Sequence, residues 1–148
     1  MMGYTWRDQR ERMKRTLRRL QGPHTNADEY RDDLYHFFQD AWHLKDWIRN
    51  DPTIAPAIRD AIENEVTSIT ALRIAADIAN GTKHLELTRP REGATITSKS
   101  ITVFPGTAKP AKYDWTITLS GGTVIARDHL HEVVKAWDTL LGDLSLTP

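Results

Sequence analysis

The chain is expected to fold as an α+β domain, a mainly helical bundle with a three-stranded antiparallel β-meander inserted before a C-terminal helix. Three observations lead to this class. Apolar residues recur at the 3,4 spacing of a buried helix face along most of the first 80 residues and again after residue 128. Between about 94 and 126 the period changes to the alternation of a half-buried strand. Gly, Pro and Asn fall between these segments, where helix ends and turns need them.

A first helix over about 5–20 carries few apolar residues (Trp6, Met13, Leu17, Leu20) among dense arginines, and Gly22-Pro23 ends it. Thr25-Asn26-Ala27-Asp28 supplies an N-cap with acidic residues in the first turn. The long helix that follows, about 26–50, has the stripe Tyr30, Leu34, Phe37, Phe38, Ala41, Leu44 and Ile48, and stops at Asp51-Pro52. A short helix is expected over 55–65. Another, over about 69–80, would be capped by Ser68 and ended by Asn80-Gly81, since glycine accepts the left-handed conformation of a helix end.

Threonine and β-branched residues then mark a strand over 94–104. Tyr113, Trp115, Ile117 and Leu119 alternate with Asp114, Thr116 and Thr118 in a second strand over 113–119. Ser120-Gly121-Gly122-Thr123 reads as a hairpin turn into a third strand over 123–126. Asp128 is placed as the cap of the last helix, 128–144, whose stripe of Leu130, Val133, Val134, Trp137, Leu140, Leu141 and Leu144 can return onto the helical core. The whole chain, 1–148, is read as one domain.

Composition excludes several classes. Hydrophobic content of 39% and charged content of 27% are those of a globular chain. A formal net charge of zero provides no global field for nucleic acid or an acidic membrane. With no cysteine there is no disulfide, thiol nucleophile or thiolate metal site, and a reducing compartment suits the chain. The N-terminus lacks an apolar signal segment, and no window approaches the roughly 20 apolar residues of a membrane span. Cytoplasmic localisation and no membrane partner are therefore expected.

Chemistry is sought on two helical rows. On the long helix His36, Gln39, His43 and Asp46 share a face, with Trp47 and Asn50 beside them. On the later helix Arg73, Asp77, Asn80 and, if the helix passes Gly81, His84 do the same, with Lys83 adjacent. Imidazoles in line with a carboxylate can bind a divalent ion or act as a general base with its orienting acid. An ordinary solvated face has the same composition, and Arg73 with Asp77 at i, i+4 is common helix decoration. No His-Glu-x-x-His pattern, Gly-x-Ser-x-Gly elbow or phosphate-binding glycine loop is present, so no metal and no cofactor is assigned. The basic residues Arg7, Arg10, Arg12, Lys14, Arg15, Arg18 and Arg19 could track a phosphate backbone. The acidic run Asp28, Glu29, Asp32, Asp33 could instead neutralise them within or between chains, and such pairing is the favoured reading.

Arg31-Asp32-Asp33-Leu34-Tyr35-His36 resembles the motif of the HEPN family, helical domains of bacterial toxins and defence proteins. The resemblance implies metal-independent RNA cleavage at a dimer interface, with Arg31 stabilising phosphate charge and His36 in acid–base transfer. His43-Leu44-Lys45-Asp46-Trp47-Ile48 with Ala76-Asp77-Ile78-Ala79-Asn80-Gly81-Thr82-Lys83-His84 resembles a pattern in small uncharacterised bacterial proteins and brings no activity with it. It directs attention to His43, Asp46, Asn80, Lys83 and His84 as the preferred cluster. Two functions stand as expectations: a HEPN-like toxin or defence RNase acting on RNA, or a non-catalytic module, homodimeric or bound to a cognate protein partner, whose polar rows lock helix packing.

Overall fold

The computed structural model describes residues 3–81 and 92–148. In chain order these form α1 (Trp6–Gln21), α2 (Ala27–Arg49), α3 (Pro56–Thr67), α4 (Thr70–Gly81), β1 (Thr95–Thr102), β2 (Lys112–Leu119), β3 (Gly122–Ile125) and α5 (Ala126–Asp143). The architecture is α+β, with the meander β1-β2-β3 preceding the last helix. No described helix is long and apolar enough to cross a membrane.

Local chemistry sets the helix starts. Thr5 and Asp8 form a reciprocal capping box on α1. Asn26 accepts from the Glu29 N–H at 2.8 Å to start α2. The predicted stripe of α2, Tyr30 to Ile48, is fully buried, and α1, α3, α4, α5 and β2 all pack against this helix. Two tryptophans tie other elements to it through their indole N–H groups: Trp115 of β2 donates to the Ala27 carbonyl and Trp137 of α5 to the Ala41 carbonyl.

The sheet is antiparallel, with Ile117 opposite Ile96 on one side and Val124 on the other, and an irregularity between Ile96 and Ser98. Trp115 and Ile117 are buried while β1 is almost wholly exposed, so only one face of the meander reaches the core. A clamp holds the entry to β1. Asp77 of α4 accepts from the Glu92 and Ala94 N–H groups, and the Ser120 N–H donates to the Glu92 carbonyl. Gly93 lies between with φ +64°, and a Cβ there would stand 2.6 Å from Ser120 Oγ.

Three expectations about caps are corrected. Ser68 does not cap α4; its hydroxyl donates back to the Glu65 carbonyl at the end of α3, and the Ile69 carbonyl opens α4. α5 starts at Ala126, ahead of Asp128, and Asp114 of β2 accepts from the Arg127 N–H at 3.2 Å. α4 includes Gly81, one residue past the predicted stop. Only at α5 does the partner come from a distant part of the chain; at Ser68 the competing groups are its own neighbours.

Candidate functional site

α1 buries Trp6, Gln9, Met13, Thr16 and Leu20 against α2. Bordering that buried stripe, Asp8, Arg12, Arg15 and Arg19 follow at spacings of four, three and four, which puts them on one face. From Arg12 to Arg19 the helix rises about 10 Å. Where this face meets α2, a groove of about 450 Å³ is lined by Tyr4, Arg12, Arg15, Thr16, Arg19, His36 and Asp40.

The floor of the groove is a continuous polar chain. Arg12 Nε lies 3.2 Å from Asp40 Oδ1, and Thr16 Oγ1 donates to Asp40 Oδ2 at 3.0 Å. Arg19 Nη2 donates to Thr16 Oγ1 at 3.3 Å, and its Nε lies 3.8 Å from Asp33 Oδ1. Asp33 Oδ2 in turn meets His24 Nε2 at 2.9 Å. Gln9 Nε2 donates to the Asp40 carbonyl, which satisfies a further buried polar group. The carboxylates are sheltered and the guanidiniums are not: Asp40 is 9% exposed, Arg12 61% and Arg19 58%. The rim therefore presents three guanidiniums over two sheltered carboxylates, Asp40 and Asp33, which leaves one cation in excess on a chain of zero net charge.

At the mouth, His36 is exposed and also borders a shallow depression with Asp32, Tyr35 and Gln39. At the other end Tyr4 packs edge-on against Trp47, centroids 4.9 Å apart, and both rings are more than a third exposed. Aromatic surface thus adjoins the arginine row.

Arg31 is directed elsewhere. Its guanidinium lies 4.9 Å over the Trp115 ring and 3.6 Å from Asp28, on the side of α2 that faces the sheet. Five residues separate it from His36, about 140° around the helix, so one chain does not bring the two together.

The preferred cluster divides as follows. His43 is half-buried and has a partner. Asp46 takes the Lys45 ammonium at 2.8 Å, and that buried ammonium also meets Glu63 at 3.0 Å and the Trp42 ring at 4.4 Å. Asn50 donates to the Asp46 carbonyl and ends α2. Asn80 is half-buried near the end of α4, while Lys83 and His84 lie outside the described residues. Asp77 serves the clamp, and Arg73 pairs with Glu92 at 2.7 Å and with the Thr67 carbonyl, not with Asp77. Among the described residues no group of three metal-ligating side chains converges.

The favoured pairing of the basic helix with the acidic run holds only in part. From that run Asp33 alone meets α1, at Arg19; Asp40 and Asp138, from α2 and α5, take Arg12 and Arg10. Nothing local in the sequence pairs Arg12, Arg15 and Arg19 with His36. Their 3,4 spacing was the available signal. Of the groups with shifted pKa, Asp8 stands at the N-terminal end of the arginine row, and Asp114, Tyr30 and His129 stand away from the groove. Burial raises Asp114 and Tyr30 and lowers His129, while hydrogen bonds from Thr5 lower Asp8.

No family model matches the chain, and neither does any curated protein or solved structure.

Proposed function

We propose that the α1–α2 groove binds the phosphate backbone of single-stranded RNA and that His36 acts on the bound strand as the proton-transfer group. The observation that carries this reading is the row Arg12, Arg15 and Arg19, exposed and aligned over the sheltered carboxylates of Asp40 and Asp33, with His36 at its edge. Guanidiniums bind phosphate oxygens in a planar fork, and a row of them follows a chain of phosphates without reading bases. The exposed pair Tyr4 and Trp47 offers ring surface on which an unstacked base can lie, which favours a single strand over a duplex.

Imidazole is the side chain suited to giving and taking protons near neutral pH. When the strand's own 2′-hydroxyl attacks the adjacent phosphate, a 2′,3′-cyclic phosphate forms and the P–O5′ bond breaks. An imidazole takes the hydroxyl proton and returns one to the leaving 5′-oxygen while a guanidinium neutralises the phosphate, and the groove has both types side by side. This retains the His36 half of the HEPN resemblance. The Arg31 half needs a second chain to supply it, since within one chain Arg31 lies against the sheet.

Fluorescence anisotropy with a labelled single-stranded RNA, at several salt concentrations, tests the binding. Arg15→Ala and Arg19→Ala should each lower the slope of log affinity against log salt by about 0.7, the loss of one phosphate contact. Absence of binding at low salt, or slopes equal to wild type in both variants, would sink the reading. Gel analysis of the same RNA tests cleavage: His36→Ala should abolish it. Cleavage undiminished in that variant removes His36 from the chemistry.

A further inference from the structure

A second hollow, of about 380 Å³, opens between the α1–α2 turn and the β1–β2 loop. Gly22, Pro23 and His24 form one wall, and Phe104, Lys109 and Lys112 the other. Its volume falls within the range of about 300–1,000 Å³ of small-ligand sites.

The charges lining it are of two kinds. Arg127 and His24 are committed. Arg127 donates to the Tyr113 and Leu20 carbonyls, lies 3.7 Å from Asp114 and covers the Tyr30 ring. The His24 ring meets the Gly22 carbonyl through Nδ1 and Asp33 through Nε2. Both lean on Tyr30, so the inner wall is held in place. Lys109 and Lys112 are different. Their ammoniums lie 5.5 and 5.9 Å from the centroid of the same Phe104 ring, and neither has a carboxylate partner among the described residues. Two like charges on one ring repel each other, and an anion placed between them removes that repulsion.

We propose that this hollow binds a nucleoside phosphate, with the phosphate between Lys109 and Lys112 and the base against the Phe104 ring. A phosphate monoester carries about −1.5 to −2 charges near neutral pH, which matches two ammoniums. The hollow is larger than a bare phosphate requires, and beside Gln21 its lining includes Pro23, Pro110, Ala111 and Tyr113, apolar or aromatic surface suited to a flat ring. A peptide carboxylate carries only one charge, too little to balance two ammoniums. The nucleoside phosphate has two sources, a free mononucleotide or the phosphorylated end of a strand. Asp33 touches both His24 of this hollow and Arg19 of the groove, so the two sites adjoin. The proposal stands on the lysines and Phe104, whether or not the groove binds RNA.

Calorimetric titration of the full chain with AMP, adenosine and inorganic phosphate tests it. AMP should bind at least about tenfold more tightly than adenosine or phosphate, because only AMP uses both the cations and the ring. Lys109→Ala/Lys112→Ala should weaken AMP by about tenfold or more, and Phe104→Leu should weaken AMP and adenosine while leaving phosphate unchanged. Lys135→Ala, which removes an exposed cation of α5 outside both sites, should leave AMP binding at the wild-type level. Thermal melts of the lysine and Phe104 variants verify that they fold; Lys109 and Lys112 are exposed. AMP binding no tighter than phosphate, or an unchanged affinity in the double lysine variant, overturns the proposal. Given AMP binding, an RNA carrying a terminal phosphate that outcompetes its hydroxyl-ended counterpart supports the strand end as occupant, and equal competition supports the free nucleotide.

Discussion

Replacing Asp77 with alanine removes the acceptor that docks the meander onto α4. The Asp77 side chain is 1% exposed, and Oδ2 takes the Glu92 N–H at 2.6 Å and the Ala94 N–H at 3.3 Å. Hydrogen bonds to a charged group contribute roughly 1.5–3 kcal/mol each, and the longer bond lies at the low end of that range. Ala94 is buried at 2% exposure, so its N–H would be left without water in the variant. The sum is a loss of about 3–4 kcal/mol. For a chain of this size 1 kcal/mol moves the melting temperature by about 2–4 °C, so Asp77→Ala should melt some 6–16 °C below wild type, roughly. Asp77→Asn keeps an acceptor without the full charge and should lose about half as much. Thermal unfolding followed by circular dichroism, with urea titration as the isothermal control, reads both. An alanine variant melting within about 2 °C of wild type would refute the clamp as an energetic feature and leave it a mere contact.

Tyr30→Phe should be neutral or stabilising by up to about 1 kcal/mol, because the buried hydroxyl has no hydrogen-bond partner among the described residues; a clear loss in urea midpoint would reveal a bond at that oxygen. Burial lowers the pKa of His129 below 6.5, against the opposing influence of the Ala71 carbonyl and Glu132. The unfolded chain then takes up a proton at this ring before the folded chain does, so the contribution of His129 is full above 6.5 and is lost as pH falls towards the folded value. Wild type should lose more stability than His129→Gln between about pH 7.5 and 5.5, and equal losses in the two chains would contradict this assignment.

The two polar rows illustrate why residues that share a helix face need not share a function. On α2, His36 lines a groove with the arginines of α1, Lys45 bridges Asp46 to Glu63 of α3, and Asn50 closes the helix. On α4, Arg73 and Asp77 both serve Glu92, one through its side chain and the other through its backbone. Arg73 and Asp77 therefore fasten α4 to the entry of the sheet, and Asp46 supports the Lys45 link to α3. His36 is left beside open, cationic surface.

Features that depend on residues within about four positions were determined by the sequence itself. The capping box Thr5–Asp8, the Asn26 cap and the buried stripe of α2 are of this kind, since helix periodicity and first-turn hydrogen bonds involve no distant partner. The alternation in β2 likewise showed which side chains enter the core. Tertiary structure decided the partnerships across the fold. Asp114 reaches the start of α5 because β2 passes beside it, and Asp77 holds residues 92–94 because the chain returns over α4. Arg12, Arg15 and Arg19 meet His36 only because α1 packs beside α2 with that edge of each helix left open. Periodicity tells which face a side chain occupies; what faces it depends on how the elements pack.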